Sequence, residues 1–247
     1  MLGLLFAALY MAGTAEATSI VAVRVGDKLI IGADTKGLLS APGSVRGNVQ
    51  TCKIRQGHGC FFTVAGPLTG PSGNTLKIGE ESCAKADSVD GKALAMSVAV
   101  RGPFVAAFKH AERNGLDNIS YGIDVLFAGK RDGALVGLRF GHHIISSNEF
   151  QSTGISEIVP GEIVFPPFPW IRQFLEGEGK SWALDERLVR RIIGIDMANR
   201  PTEVGLPIAI LEVTASGARW IQQTKLCPDI DQKLWLIERP ISSRPTP

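Results

Sequence analysis

Short runs of β-branched and apolar residues, separated by Gly-containing turns, predict that the folded part of the chain begins with antiparallel strands. The Gly26-Asp27 pair joins the first two runs and is typical of a hairpin turn. A loop rich in Gly, Ser and Pro over 38–48 precedes a second strand pair. The predicted strands in this part of the chain are residues 19–25, 28–33, 49–55 and 60–65.

Apolar residues that recur every three or four positions predict helices farther along the chain. Gly102-Pro103 interrupts the longest one, where we expect a kink or break, and Gly115 supplies its C-terminal stop. The predicted helices are residues 74–86, 90–114, 170–176 and 185–199. The remaining predicted strands are residues 121–128, 134–140, 144–151, 207–213, 218–224 and 234–237. This order of β, α, β, α and β blocks indicates an α+β domain with two facing sheets and helices outside them.

Composition and charge exclude several classes of function. The 247 residues suffice for one large domain, and 45% apolar with 20% charged residues is ordinary for a globular protein. The formal net charge of +2 provides no electrostatic reason to expect a nucleic acid or an anionic membrane surface as a partner. The cysteines lack zinc-type spacing, so we expect no metal and no cofactor.

The first stretch of the chain differs from the rest, because residues 1–13 are apolar and carry no charge. Such a segment is too short to span a bilayer as a helix, which needs about 20 residues. Ala-Glu-Ala at 15–17 is a small-x-small cleavage site, so we predict that residues 1–17 are a signal peptide or a propeptide. A signal peptide would make the protein secreted or periplasmic, and a propeptide or a buried first helix would leave it cytoplasmic. The domain is predicted to cover 18–240, with a disordered tail at 241–247.

The cysteines allow two interpretations. Their even number permits two disulfides, with three connectivities, in an oxidising compartment. The alternative is four buried thiols that behave as small apolar side chains. The residues concerned are Cys52, Cys60, Cys83 and Cys227.

Four short stretches near the start of the predicted domain carry candidate chemistry. They are Thr-Ser-Ile-Val-Ala-Val-Arg at 18–24, Gly-Ala-Asp at 32–34, Lys53, and Ala-Gly at 65–66. Together they resemble the proteasome β-subunit family and the related peptidase subunit of a bacterial ATP-dependent protease. Asp34 lies sixteen residues after Thr18, as in that family, whereas Lys53 requires a three-residue insertion in the preceding loop. Continuous similarity runs from Thr18 to about Gly70, and beyond it only the order of elements agrees.

The resemblance implies a four-layer αββα sandwich, the fold of the N-terminal-nucleophile hydrolases, and a threonine-type peptidase or amidohydrolase. Thr18, exposed as a new N-terminus, would be the nucleophile, and its own α-amine, with a pKa of about 8, would accept the hydroxyl proton. Lys53 would hold a positive charge beside the hydroxyl, and Asp34 would position Lys53. The N–H of Gly66 would donate to the oxyanion. A peptide or amide substrate and a homo-oligomeric ring are the implied partners.

Each of these four residues also has an ordinary structural interpretation. Thr18 could simply begin a strand, and Asp34 could cap a turn. Lys53 could be a solvated charge at a strand edge, and Gly66 could belong to a tight turn. The functional hypothesis therefore depends on the four residues acting together at the family spacing.

Departures from the family pattern motivate a second hypothesis, a catalytically inactive scaffold or binding protein of the same fold. The family carries an Asp followed three residues later by a Ser after the last helix, and residues 199–205 lack that pair. Thr202 or Glu203 are the candidate substitutes. The family's Ser in a Gly-rich turn has its nearest match at 152–154. Ala17, rather than Gly, precedes the candidate nucleophile, which fits removal by a signal peptidase better than autolysis.

Other potential centres are weaker. His58 lies near Cys60, but no Ser or Cys lies in a Gly-x-Ser-x-Gly elbow. Cys60 lies in an apolar strand and is interpreted as part of the core. His142 and His143 lie in a predicted turn and are interpreted as surface residues. The Pro-rich run over 165–170 is predicted to be a rigid loop with exposed aromatic side chains.

Overall fold

A computed structural model describes residues 18–39, 47–66, 69–70, 73–113, 121–146 and 149–236. The segment 1–17, Gly115 and the tail at 241–247 lie outside these residues, so the predictions for them stay predictions. The earlier strands are β1 (Ile20–Val25), β2 (Lys28–Asp34), β3 (Lys36–Leu39), β4 (Gly47–Gln50), β5 (Ile54–Gly57), β6 (Cys60–Ala65), β7 (Thr69–Gly70) and β8 (Gly73–Asn74). The later strands are β9 (Tyr121–Arg131), β10 (Ala134–Ser146), β11 (Glu149–Ser152), β12 (Ser156–Ile158), β13 (Ile163–Val164), β14 (Ile208–Thr214) and β15 (Gly217–Gln222). The helices are α1 (Thr75–Lys85), α2 (Val89–Arg113), α3 (Pro169–Glu176), α4 (Glu186–Asn199) and α5 (Gln232–Leu236), with a 3₁₀ turn at Glu178–Ser181.

Two antiparallel sheets contain most of the described strands. The first has the order β13-β1-β2-β14-β15, and the second has the order β11-β10-β9-β6-β5 with β12 paired to β10. Two short ribbons, β3-β4 and β7-β8, complete the described strands. The α+β class and the two antiparallel sheets predicted from the sequence are confirmed.

Both faces of β1, β2 and β14, the three central strands of the first sheet, are buried, which explains why these strands are nearly continuous apolar runs. Along β1, Ile20 and Ala22 belong to an apolar cluster that includes Phe61 of the second sheet. The alternate residues Val21 and Val23 belong to another cluster, which includes side chains of α3 and α4. Because successive side chains of a strand point to opposite faces, the two sets lie on opposite sides of the sheet.

Helix α2 runs without interruption from Val89 to Arg113, so the break expected at Gly102-Pro103 does not occur. Four apolar side chains at four-residue spacing lie buried along this helix, in a cluster shared with the second sheet: Met96, Val100, Phe104 and Phe108. Burial of this stripe outweighs the local cost of the proline, about 3 kcal/mol. Among the described residues, no helix combines the length and apolar character needed to cross a membrane.

The prediction of a turn at Gly141-His142-His143 is wrong, since these residues lie inside β10. A Cβ at position 141 would collide with a carboxylate oxygen of Asp124, so the glycine permits a close approach within the sheet. Its role is tight packing between neighbouring strands, and the chain continues straight through it.

The apolar run predicted as a strand over 234–237 instead lies mainly in the helix α5, which ends at Leu236. Asp231 caps this helix, because its Oδ1 accepts hydrogen bonds from the N–H of Lys233 at 2.9 Å and of Leu234 at 3.4 Å. Trp235 is fully buried in the cluster that includes side chains of both sheets. A capped turn of helix therefore places a large aromatic side chain in the core.

The segments before β5 also differ from their predictions. The loop predicted over 38–48 begins and ends in the paired strands β3 and β4, and residues 40–46 lie outside the described part of the chain. Strand β5 begins at Ile54, so Lys53 precedes the strand rather than lying within it. From this position the lysine side chain reaches Asp34 at the end of β2, in the first sheet.

Two disulfides, Cys52–Cys227 and Cys60–Cys83, connect distant parts of the chain. They replace the alternative of four buried thiols and exclude Cys60 as a thiol nucleophile. Their partners are 175 and 23 residues apart in sequence. In the chain-entropy model such loops stabilise the fold by about 5 and about 3 kcal/mol. Because Cys52 directly precedes Lys53, the longer link anchors the segment that carries this lysine.

His142 is buried, with 3% of its surface exposed, so its interpretation as a surface residue is wrong. Its Nε2 lies 2.9 Å from the carbonyl oxygen of Ser97 and 3.2 Å from the hydroxyl oxygen, and the ring stacks on Phe150. Among the described residues its Nδ1 has no hydrogen-bond partner. Burial lowers the pKa of His142, and the charges of Arg101 and His143 add to this lowering.

We expect the free energy of unfolding to fall as the pH drops below about 6.5, because the unfolded chain then binds a proton that the folded chain excludes from His142. One such group contributes at most about 1.4 kcal/mol per pH unit. The Ser97 carbonyl and the carboxylate of Asp124 oppose the depressed pKa and so limit the effect. Urea unfolding across this pH range should show a flatter dependence in His142→Phe than in the wild type. Equal slopes would contradict the assignment.

Candidate active site

Thr18 lies two residues before β1, at the open end of the β1–β2 hairpin, and is 2% exposed. Pairing of Ile20 with Ala33 places Ser19 opposite Asp34. The N–H of Asp34 donates to the carbonyl of Ser19 at 3.2 Å, and the N–H of Ser19 donates to Asp34 Oδ1 at 2.8 Å. The sixteen-residue spacing is therefore a geometric consequence of a hairpin with a two-residue turn.

Asp34 is fully buried and accepts several hydrogen bonds. The pairing of β2 with β14 places Ile208 opposite Asp34 and brings the preceding loop to the carboxylate. Its donors are the N–H groups of Ser19 (2.8 Å), Lys36 (3.1 Å) and Gly205 (3.2 Å), and Lys53 Nζ (2.8 Å). These donors hold the carboxylate at a single position between the end of β2 and the start of β1.

Lys53 is also fully buried, and it approaches Asp34 from the segment that leads into the second sheet. Its Nζ forms an ion pair with Asp34 Oδ1 at 2.8 Å and donates to the carbonyl of Lys36. Two predicted site residues, one at the end of β2 and one directly before β5, are thus in direct contact. A buried ion pair of this kind holds a fixed positive charge close to the residue that precedes β1.

Burial dominates the electrostatics of this pair. It raises the pKa of Asp34 and lowers the pKa of Lys53, because both charged forms lose their water. The direct bond between the two groups opposes both shifts, and the charge of Arg200 lowers the pKa of Lys53 further. The Asp34 carboxylate therefore favours the charged form of Lys53 against the cost of burying it.

Gly66 directly follows β6 and has a φ of +118°, a conformation that L side chains rarely adopt. A Cβ there would collide with the carbonyl oxygen of Gly122 and lie 3.0 Å from the Cα of Ile123. The glycine is therefore required by its conformation and by the neighbouring strand β9. These neighbours all belong to β9 and say nothing about which group its N–H binds. The oxyanion role of that N–H therefore stays a prediction.

Arg200 is a residue at the site that the sequence prediction missed. Its Nη2 donates to the carbonyl oxygen of Thr18 at 3.4 Å, and its guanidinium pairs with buried Asp196 and with Glu203. Burial alone would lower the pKa of Arg200, but the two carboxylates together raise it. Of the candidate substitutes for the absent Asp/Ser pair, Glu203 joins this cluster and Thr202 is exposed. The available signal was the four-residue spacing of an Asp and an Arg near the end of a helix.

The other candidate residues do not form a second catalytic centre. Thr153, from the stretch 152–154, accepts a hydrogen bond from the N–H of Gly141 at 2.8 Å, within the second sheet. His142 contacts Ser97, but its Nδ1 lacks the carboxylate partner of a catalytic triad among the described residues. No group of three or more His, Cys, Asp or Glu side chains that could hold a metal ion occurs in the described part of the chain.

Comparisons with known proteins give no match to a protein-family model and none to a curated protein. Among solved structures, Anbu (ancestral β-subunit) from Yersinia bercovieri is 14% identical, with 83% of this chain and 88% of that chain covered and a TM-score of 0.50. Anbu from Hyphomicrobium sp. strain MC1 is 15% identical over 87% of this chain and 90% of that chain, with a TM-score of 0.46. BPH from Thiobacillus denitrificans in complex with epoxomicin is 20% identical over 80% of this chain and 99% of that chain, with a TM-score of 0.42. The likeness to the Yersinia structure shows that this chain has a proteasome-like β-subunit fold.

Proposed function

We propose that this chain is a proteasome-like threonine hydrolase, a peptidase or amidase, in which Thr18 is the nucleophile once residues 1–17 are removed. The observation that carries the proposal is the buried ion pair between Asp34 and Lys53, bonded to the backbone of the residue next to Thr18. A structural role alone gives little reason to bury both charges, since such a pair is seldom more stabilising than apolar residues of the same size. The proposal includes the four-layer αββα order of this hydrolase fold and a domain over 18–240.

The reaction follows from the groups at the site. In acylation, Thr18 Oγ1 forms a bond to the carbonyl carbon of the amide, and the hydroxyl proton passes to the α-amine, directly or through a water. The C–N bond then breaks as the amine returns this proton to the leaving nitrogen. In deacylation a water attacks the ester carbonyl carbon and its proton passes to the α-amine. The bond between that carbon and Oγ1 then breaks, the amine returns the proton to Oγ1, and the carboxylic acid leaves. Lys53 holds the α-amine in its unprotonated form through its positive charge, and Asp34 fixes the lysine.

Export would link processing to activation. Disulfides persist in oxidising compartments, so the pairs Cys52–Cys227 and Cys60–Cys83 support a secreted or periplasmic location. Removal of residues 1–17 as a signal peptide would then produce the nucleophile and its base in a single cleavage. A peptide or amide substrate and a homo-oligomeric ring follow from the family resemblance, and the particle mass in solution would test the ring.

The second candidate is an inactive protein of the same fold, motivated by the absent Asp/Ser pair in 199–205. One experiment separates it from the hydrolase. The intact mass of purified protein gives the first residue, and an epoxyketone or β-lactone then labels a reactive N-terminal threonine. We expect a chain that begins at Thr18 and a single adduct, mapped to that residue and absent in Thr18→Ala. A chain that begins at Thr18 but forms no adduct would favour the inactive protein, and a chain that begins elsewhere would contradict the mechanism.

A further inference from the structure

Arg200, directly after α4, is held by two carboxylates. Its Nε donates to Asp196 Oδ1 at 2.8 Å and its Nη2 pairs with Oδ2 of the same residue, which makes the contact bidentate. Its Nη1 donates to Glu203 Oε2 at 3.0 Å. Asp196 is fully buried and Arg200 is 8% exposed, so the guanidinium is held in a single orientation.

An aromatic stack supports the guanidinium from the side. The ring centroid of Phe168 lies 4.0 Å from Arg200 Cζ, and the rings of Phe168 and Trp170 are nearly parallel with centroids 4.8 Å apart. Trp170 Nε1 donates to Asp196 Oδ1 at 3.3 Å, which closes the network. The Pro-rich run over 165–170 was predicted to expose its aromatic side chains, but these two are half-buried. The run therefore supplies the support on which Arg200 rests.

The remaining contact of this network reaches the candidate nucleophile. Arg200 Nη2 donates to the carbonyl oxygen of Thr18 at 3.4 Å, across 182 residues of sequence. We propose that Arg200 is a positioning residue for Thr18, which takes over the part of the site where the Asp/Ser pair is absent. This proposal rests on the proposed function, because positioning matters only if the hydroxyl and α-amine of Thr18 react.

Positioning at this carbonyl has a direct geometric effect. After residues 1–17 are removed, Thr18 is attached to the protein only through its own carbonyl carbon. The hydroxyl and the α-amine lie within one residue of that carbon, so a donor on the carbonyl oxygen restricts the orientation of both groups. A displacement of about 1 Å at a reacting group can lower a rate about 10²-fold.

Charge gives the proposal a second consequence. The charged groups at the start of β1 are the cations Lys53 and Arg200, which contact Asp34 and the Thr18 carbonyl, and the carboxylates Asp34, Asp196 and Glu203 that pair with them. The ammonium of Lys36 instead donates to the carbonyl of Pro201 at 2.6 Å. Removal of the guanidinium leaves Asp196 and Glu203 without their cation, so the surroundings of the α-amine become more negative. The amine should then keep its proton to a higher pH, and hydrolysis should require a more alkaline solution.

The test compares Arg200→Met and Arg200→Lys with the wild type, all as chains confirmed by intact mass to begin at Thr18. If the expressed chain is cut at another residue, residues 1–17 are replaced by a cleavable leader whose removal leaves Thr18 at the N-terminus. Arg187→Met is the matched control, since Arg187 lies on α4 and pairs with Asp185 at the exposed surface. Two quantities are measured: kcat and KM with a fluorogenic amide, and the pKa of the α-amine from competitive acetylation with acetic anhydride.

For Arg200→Met we expect kcat to fall about 10²-fold with little change in KM, and the pKa of the α-amine to rise. Arg200→Lys keeps a positive charge but not the planar, bidentate contacts, so its kcat should fall while the pKa of the amine stays closer to that of the wild type. Arg187→Met should match the wild type in both quantities.

The two proposals fail in different ways. Wild-type kcat and wild-type amine pKa in folded Arg200→Met would overturn the positioning role. If Arg200→Met does not fold, unchanged kcat and amine pKa in Arg200→Lys would overturn it instead. If the wild type begins at Thr18 but shows no turnover, the proposed hydrolase fails, and the pKa of the amine by itself decides whether Arg200 acts on Thr18.

Discussion

Replacing Thr18 with alanine is expected to abolish hydrolysis, with a fall in kcat of at least about 10⁴-fold. The N-terminal residue would then keep its α-amine, the base, but would have no hydroxyl to act as nucleophile. The substitution leaves the α-amine and the pair of Asp34 and Lys53 in place. The free energy of unfolding should therefore change by about 1 kcal/mol or less. Turnover of a fluorogenic amide, measured on chains confirmed to begin at residue 18, provides the test.

Thr18→Ser is the matched control for this experiment. Serine keeps both the hydroxyl and the α-amine, so this variant should retain turnover and form the same adduct with an epoxyketone. If Thr18→Ala hydrolysed the substrate as fast as the wild type, the nucleophile would lie elsewhere in the chain. Absence of turnover in the wild type and in both variants, with no adduct in a wild type that begins at Thr18, would favour the inactive scaffold.

Replacing Lys53 with methionine should affect both turnover and stability. The loss of the lysine leaves Asp34 as a buried carboxylate without its cation, which typically costs about 3 to 5 kcal/mol. For a chain of this size that corresponds to a fall in Tm of roughly 10 °C. We expect kcat to fall at least about 10³-fold, because the positive charge beside the α-amine and the hydroxyl is lost.

The double variant Asp34→Asn with Lys53→Met separates the two effects. It replaces the ion pair with two neutral side chains, so stability should recover relative to Lys53→Met alone. Activity should stay low, because the cation is still absent. Thermal unfolding and kcat, measured on all four chains of this cycle, provide the comparison. Wild-type turnover in Lys53→Met, or recovery of turnover together with stability in the double variant, would show that the pair has only a structural role.

Local signals in the sequence were reliable where a feature depends on neighbouring residues. The Gly26-Asp27 turn and the flanking apolar runs predicted the β1–β2 hairpin, and the register of that hairpin brings Ser19 and Asp34 together. The helix predicted from residue 74 begins after Asn74, whose side chain accepts hydrogen bonds from the N–H groups of Leu76 and Lys77. These features depend on turn and cap chemistry, which acts over a few residues.

The same local signals were misleading where packing between distant elements decided the structure. A glycine between two apolar runs often marks a turn, but Gly141 lets β10 approach the side chain of Asp124. The stretch near Trp235 has the apolar character of a strand, but Asp231 caps it as a helix that directs the indole into the core. Pro103 does not break α2, because the buried stripe on either side holds the helix against the second sheet.

The sequence by itself determined the hairpin that carries Thr18 and Asp34 and the two-sheet α+β class, because turn residues and the order of apolar runs express these directly. The candidate role of Lys53 came from the resemblance to the proteasome β-subunit family. Only the tertiary structure decided that Lys53 reaches Asp34 at 2.8 Å and that Arg200 donates to the carbonyl of Thr18. It also decided how the cysteines pair. The physical reason is that each of these contacts joins segments far apart in the chain, and they meet only when both sheets and α4 have packed together.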